Sequence, residues 1–299
     1  MRVPFRAREG RSLCRNIREP SSCEMRMSAN GSLIAGLPMY DPPELRAIVD
    51  AWWEALALAF RAEGIAGVPD RLDRSLPLDA LWGSPDLLLT QTCGYPLFGS
   101  HADRLAYVAT PRYAADGCAG ADYCSWIVVN AGSTARSVDD LRGTRCSISA
   151  RISHSGYNAL RGLIAPLATD GRFFGSISLS GGHAESLAQL ACGEVDVAAI
   201  DCITYALLGR CRPEVVAATR VIGRTMSAPG LPYATRIDAA PDLVRRLRAG
   251  LARAFNDPAL RPLREALLID GLDVLNPAAY GCMAELENEA RQRRYVELD

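Results

Sequence analysis

From Ser32 onward, short apolar runs alternate with stretches of helical periodicity, the pattern of strands joined by helical crossovers. Runs at 32–37, 86–89, 105–110, 125–130, 145–149, 176–179, 195–200 and 220–224 predict strands. After the Pro42-Pro43 pair, Leu45, Ile48, Val49, Trp52, Trp53, Leu56 and Phe60 recur at helical spacing and predict a helix with one continuous apolar face. Gly64 and Gly67-Val68-Pro69 stop it. Helical patterns also cover 157–167 and 184–192. The tail changes character: 241–255, 260–268 and 277–294 read mostly as helix, with Leu243, Val244, Leu247, Leu251 and Phe255 forming one apolar stripe. No internal repeat or low-complexity tract interrupts the series, so the expected class is α/β with mixed sheets flanked by helices and a helical C-terminal tail.

At 299 residues the chain is twice the usual single-domain length of about 150, and two lobes are the first expectation. Hydrophobic residues make up 49% and charged residues 22%, with no run of about 18 apolar residues, which excludes a transmembrane helix. The 33 basic and 34 acidic side chains leave a net charge of −1, so no global field recruits nucleic acid or an anionic membrane, and any anion must be held locally. Every basic residue is Arg. The absence of Lys excludes a lysine Schiff base, pyridoxal-phosphate chemistry and a Walker-type phosphate lysine; a GC-rich genome accounts for the bias without a selected function. No cofactor is implied.

Ten cysteines are no disulfide framework in a chain of this size. Cys192, Cys202 and Cys211 match none of the Cys-x2-4-Cys spacings of zinc sites, so no metal site is expected. Cys118 and Cys124 are close enough in sequence to bridge, and Cys93 and Cys202 read either as nucleophiles or as small buried hydrophobes. Residues 1–30 carry seven Arg and no apolar run of a secretory h-region, nor a lipoprotein-like lead into Cys14 or Cys23. They read as a disordered extension, with Met25 or Met27 as alternative starts. Glu9, Glu19 and Glu24 dilute a mitochondrial-type presequence.

Chemistry is expected at strand-to-helix turns, where first-turn N–H groups are unpaired and the helix dipole favours negative charge. Ser153-His154-Ser155-Gly156-Tyr157 follows the strand at 145–149 and offers two hydroxyls, an imidazole and a glycine that permits close backbone approach, the donor set for a tetrahedral oxyanion; an ordinary Ser N-cap is the alternative. Thr92 and Tyr95, in the turn after the strand at 86–89, and Tyr40 after the first strand offer further hydroxyls, or pack as a polar turn and rim aromatics. Asp201 ends the run at 195–200, where it can accept from a protonated oxyanion or a ligand amine, or cap the next helix.

The ordered series Asp140-Leu141-Arg142-Gly143, Ser153 to Tyr157, Ser180-Gly181-Gly182-His183, 193–201 and Leu231-Pro232-Tyr233 resembles the PhnD-like phosphate, phosphite and phosphonate substrate-binding proteins of ABC transporters over residues 32–270. The resemblance implies a two-lobed type II periplasmic-binding-protein fold, each lobe a mixed sheet flanked by helices, closing over a ligand at strand ends and helix N-termini. On this basis 1–30 is an extension, 31–124 with 225–299 is lobe I, and 125–224 is lobe II, with crossovers near Ser125 and Thr225. Carried over by position, the oxyanion cradle falls on Ser153, His154 and Ser155 with Gly156, the flanking aromatics on Tyr40 and Tyr95 beside Thr92, the hinge-strand polar position on Ser125, the helix-start histidine on His183 and the carboxylate on Asp201. His154 departs from the Thr or Ser of relatives and adds a titratable group. Ala184 stands where binders of aminoalkyl-phosphonates carry an acid, which speaks against an amine-bearing ligand.

The implied function is non-enzymatic capture of a small phosphorus oxyanion for an ABC permease, by a monomer in the periplasm. Neutral donors in a closed cleft, each contributing about 1.5 to 3 kcal/mol toward a charged acceptor, suffice without Lys. The alternatives are a cofactor-biosynthesis enzyme on the same fold, using His154, His183 or Cys202, and a cytoplasmic ligand sensor, which the lack of an export signal favours.

Overall fold

A computed structural model describes residues 33–298. The Arg-rich segment at 1–30, with Cys14, Cys23, Met25 and Met27, lies outside the described residues. The chain enters through β1 (Ile34–Gly36), α1 (Arg46–Ala62), α2 (Leu78–Trp82), β2 (Leu87–Gln91), α3 (Gly94–Phe98) and β3 (Leu105–Tyr113). It continues through β4 (Asp122–Tyr123), β5 (Ser125–Asn130), β6 (Arg145–Ile148), α4 (Ala159–Ile164), β7 (Ser176–Leu179), α5 (His183–Ala191), β8 (Val197–Asp201), α6 (Cys202–Cys211), α7 (Pro213–Ala217) and β9 (Thr219–Arg224). The last part is β10 (Ala228–Pro229), β11 (Tyr233–Arg236), α8 (Pro241–Asn256), α9 (Arg261–Ala266), β12 (Ile269–Asp273) and α10 (Gly281–Gln292).

Two five-stranded mixed sheets result, ordered β1-β2-β11-β3-β12 and β7-β6-β8-β5-β9. In the first, β1 and β2 run parallel and β11 inserts antiparallel between β2 and β3. In the second, β7, β6 and β8 run parallel while β5 pairs antiparallel with β8 and β9, in a register that sets Ser125 opposite Asp201. Between the sheets the chain passes at β4–β5 and again at β9–β10, and β4 pairs with β10 to bind the two passages together. The amphipathic α1 buries Val49, Trp52, Trp53, Leu56 and Phe60 against α8, where Gly250 leaves room for the Phe60 ring.

Two differences from the sequence reading have physical causes. The strands β11 and β12 lie in stretches without an apolar run. β11 is short and interrupted by polar Thr235, and β12 carries Asp270, Gly271 and Asp273 along a half-exposed edge. β12 occupies the gap between the two helical stretches read at 260–268 and 277–294. The tail also does not stay on the first lobe: Ala290, Tyr295 and Leu298 are buried with Leu160, Ile164 and Phe174 of the second. Gly162 permits this, because a Cβ there would lie 2.4 Å from Leu286, and Asn158 and Arg161 of the second lobe donate to the carbonyls of Met283 and Val296. The helix α10 thus packs on the second lobe as well as on the first, where Met283 is buried with Ala228 against Tyr95 and Tyr107.

Candidate functional site

A cleft of about 390 Å3 lies between the two sheets. The second lobe contributes Ser149, Ser153, Ser155, Gly181, Gly182 and His183, and the first contributes Met39, Tyr40, Trp82, Cys93 and Pro96. Arg212 is the one Arg among these described lining residues, and at the mouth its guanidinium is held by Glu44 of the first lobe through bonds of 2.7 and 3.1 Å. The interior therefore offers neutral donors.

The second-lobe wall is built at the turn after β6. Ser153 keeps an extended backbone and accepts from the Gly156 N–H at 3.0 Å, and His154–Asn158 then form a π-helical turn leading into α4. In this turn the Gly156 N–H is taken by Ser153 Oγ and the Asn158 N–H by the Ser153 carbonyl. Ser155 Oγ lies 2.9 Å from His183 Nε2 and 3.5 Å from Ser153 Oγ. His183 opens α5 after Gly181, whose φ of 93° suits glycine, and the imidazole Nδ1 is buried without a partner. Burial pushes the His183 pKa down to about 4, so the ring is neutral at pH 7. Gly156 is a steric requirement: a Cβ would lie 2.0 Å from Ser149 Oγ and 3.1 Å from His183 Cε1.

Asp201 ends β8 and caps α6. Its Oδ1 accepts from the N–H groups of Ile203 and Thr204 at 2.7 and 2.9 Å, and its Oδ2 accepts the Tyr40 hydroxyl at 2.9 Å. Burial nevertheless raises its pKa to about 6, outweighing the three bonds that favour the anion. Tyr40 is presented by a 3-10 turn beginning at Pro38 and packs edge-on against Tyr113.

Of the residues the sequence singled out, the structure thus gathers Tyr40, Ser153, Ser155, His183 and Asp201 on the cleft wall. The other five are placed elsewhere. Thr92 donates to the Cys93 carbonyl inside the first lobe. Tyr95 turns from the cleft and donates to Glu287 of α10 at 2.7 Å. Ser125 supports the cradle from behind, donating to the Ser155 carbonyl at 2.9 Å. Gly156 spends its N–H on Ser153. The His154 ring faces Tyr95 and Asn158, while the residue's backbone N–H donates to Cys93 Sγ at 3.4 Å. His154 is therefore no titratable member of the cradle: it points away, and burial lowers its pKa to about 4. The sequence reading missed Ser149, Trp82 and the Glu44–Arg212 pair, and weighed Cys93 as a nucleophile or a small buried hydrophobe without seeing its contact to the His154 N–H. Ser149 was open to discovery as the hydroxyl closing a strand, whereas the other contacts span 61 and 168 residues and had no local signal.

A family model described as "ABC transporter, phosphonate, periplasmic substrate-binding protein" matches residues 34–280. No curated protein matches the chain at a significant level. Among solved structures, a binding protein component of an ABC phosphonate transporter from Pseudomonas aeruginosa aligns with a TM-score of 0.71 at 16% identity, covering 88% of each chain. PhnD1 from Prochlorococcus marinus, in complex with methylphosphonate, aligns at 0.68 and 13% identity, covering 88% of this chain and all of that one (100%). A chloride-bound protein from Xanthomonas citri aligns at 0.64 and 18% identity, covering 88% and 99%. The two sheets flanked by helices are those of the periplasmic-binding-protein fold.

Proposed function

Because the chain belongs to the periplasmic substrate-binding proteins of phosphonate ABC transporters, we propose that its cleft captures a small phosphorus oxyanion and delivers it to a permease. The carrying observation is the Ser153, Ser155 and His183 cluster on the wall of the cleft that Tyr40 and Asp201 also line. A tetrahedral oxyanion needs several donors converging from one side, and this wall supplies them without a cation. In the Nε2–H tautomer, His183 donates to Ser155 Oγ and frees the Ser155 hydroxyl hydrogen to point at the guest. With the other tautomer Ser155 donates to His183 and offers only lone pairs, so a bound anion selects the first.

Asp201 sorts guests by protonation. Its carboxylate repels a fully ionised phosphate, and with a pKa near 6 it accepts from a protonated oxyanion oxygen or, once protonated itself, donates to an ionised one. The Ser155–His183 pair resembles a nucleophile and its base, but no carboxylate orients His183 Nδ1, which favours binding over acyl chemistry. A monomer exported to the periplasm is the state this reading requires.

Calorimetry tests it. Protein unfolded, stripped of carried-over ligand and refolded is titrated with phosphate, phosphite, methylphosphonate and 2-aminoethylphosphonate. Saturable heat from at least one, lost in Ser155→Ala, is expected. No heat from any of the four ends the reading.

A further inference from the structure

Behind Asp201, three cysteines converge from separate segments: Cys118 on the loop between β3 and β4, Cys124 between β4 and β5, and Cys202, the first residue of α6. Cys118 Sγ and Cys202 Sγ are 3.6 Å apart. The Cys202 N–H donates to the Cys124 carbonyl at 3.0 Å, which holds the start of α6 against this corner. Gly117, with a φ of 94°, lets the loop in: a Cβ there would lie 2.9 Å from Cys124 Sγ and 3.0 Å from Cys202 Cβ. Cys202 and Cys124 are buried, whereas Cys118 is half-buried and reachable from solvent.

We infer that Cys118 and Cys202 form a disulfide site that fastens the loop leaving the first sheet to the helix start beside Asp201. Sulfurs already at 3.6 Å have about 1.6 Å to close to reach the roughly 2 Å of a disulfide. Cys118 is the entry point because an oxidant reaches it first, and the hydrogen bond from the Cys202 thiol stabilises its thiolate, holding its pKa below the usual thiol value. The oxidant is a disulfide, for example glutathione disulfide. The Cys118 thiolate attacks one of its sulfurs, breaking that S–S bond and releasing one glutathione thiolate. Cys202 then gives up its proton and attacks the Cys118 sulfur of the mixed disulfide, forming the internal bond and expelling the second glutathione. Two protein thiols are oxidised and one disulfide is reduced to two thiols. Cys124, enclosed, does not begin the exchange, and the sulfur in contact with Cys118 to resolve it is that of Cys202.

The test uses the full chain and no ligand, so its result is independent of the anion-binding proposal. Reduced protein is incubated with glutathione disulfide, blocked with N-ethylmaleimide and cleaved before Asp122 and after Arg136 and Arg210, which places Cys118, Cys124 and Cys202 on separate peptides. The expected result is a chain lighter by two hydrogen atoms with the Cys118 and Cys202 peptides linked, and the same link in Cys124→Ser. Oxidation is also expected to raise the urea midpoint of the native sequence and leave that of Cys118→Ser unmoved. A link from Cys202 to Cys124, a link from Cys118 to Cys124, or three fully blockable thiols overturns the inference.

Discussion

Tyr40 on the first lobe donates its hydroxyl to Asp201 Oδ2 on the second at 2.9 Å, and this bond crosses the floor of the cleft. The acceptor is already engaged by two N–H groups at the start of α6. One carboxylate thus caps a helix and touches the opposite lobe, and any guest that draws on Asp201 changes how the lobes are joined.

The balance of buried groups sets a pH response. His154 and His183 are held neutral, with pKa values lowered by burial from 6.5 to about 4, so below 6.5 the unfolded chain binds protons that the folded one refuses. Their contribution is present above 6.5 and is lost as pH falls toward 4, at most about 3 kcal/mol for the fully buried His154 and less for His183 at the cleft. Asp201 runs the other way: its pKa, raised from 3.8 to about 6, makes the folded state bind the extra proton between those values, adding stability as pH falls and losing it as pH rises through 6. The urea midpoint is expected to be lower at pH 5 than at pH 7, and the drop to be steeper in Asp201→Asn, which removes the opposing group. A shallower drop in that variant contradicts the assignment.

Ser155→Ala deletes the hydroxyl at the centre of the donor cluster. Losing one hydrogen bond to a charged acceptor costs about 1.5 to 3 kcal/mol, which is roughly 10- to 150-fold in affinity for the oxyanion. Calorimetry on the refolded variant checks this, and an unchanged Kd would take Ser155 off the guest.

Gly156→Ala places a methyl group 2.0 Å from Ser149 Oγ and forces the π-helical turn or the end of β6 to shift. Overpacking of this kind costs about 1 to 3 kcal/mol. Urea unfolding is expected to show the loss, and adding Ser149→Gly to recover most of it. Equal midpoints for Gly156→Ala and the native sequence would mean that the turn yields freely.

At the cleft mouth Glu44 and Arg212 join the lobes in a two-pronged ion pair with side-chain exposures of 37% and 28%. Solvent screening limits such a pair to about 0 to 1 kcal/mol, so Glu44→Gln is expected to speed ligand release by no more than about fivefold. Added salt should reproduce part of the effect in the native sequence and none of it in the variant. Stopped-flow tryptophan fluorescence, with Trp82 on the cleft wall, reads both.

Much of this architecture is written in local pattern. The apolar face of α1 stands out because its burial recurs at helical spacing, and the strands at 125–130 and 195–200 because theirs runs through neighbouring residues. The cleft residues Ser153, Ser155 and Asp201 were legible for the same reason, since each stands at a strand end or helix start. The orientation of side chains was not. His154 and Ser155 are neighbours on a turn of unusual width, and only the packing of Tyr95 and Asn158 decides which of the two faces the cleft. Thr92 and Tyr95 look equally suited to a ligand, yet their hydroxyls satisfy themselves on the Cys93 carbonyl and Glu287. Contacts across more than a hundred residues, such as Tyr95 to Glu287, leave no trace in spacing.

The path of α10 bears on how the lobes can turn. The helix leaves β12 of the first lobe and lies on α4 of the second, and Glu287 within it accepts from Tyr95 on one side and lies 3.6 Å from Arg161 on the other. Two passages alone act like a ribbon, free to twist as well as bend. A third anchor set apart from them restricts the ribbon to one axis, so that opening must either swing Tyr95 off Glu287 or carry the whole helix along as ballast.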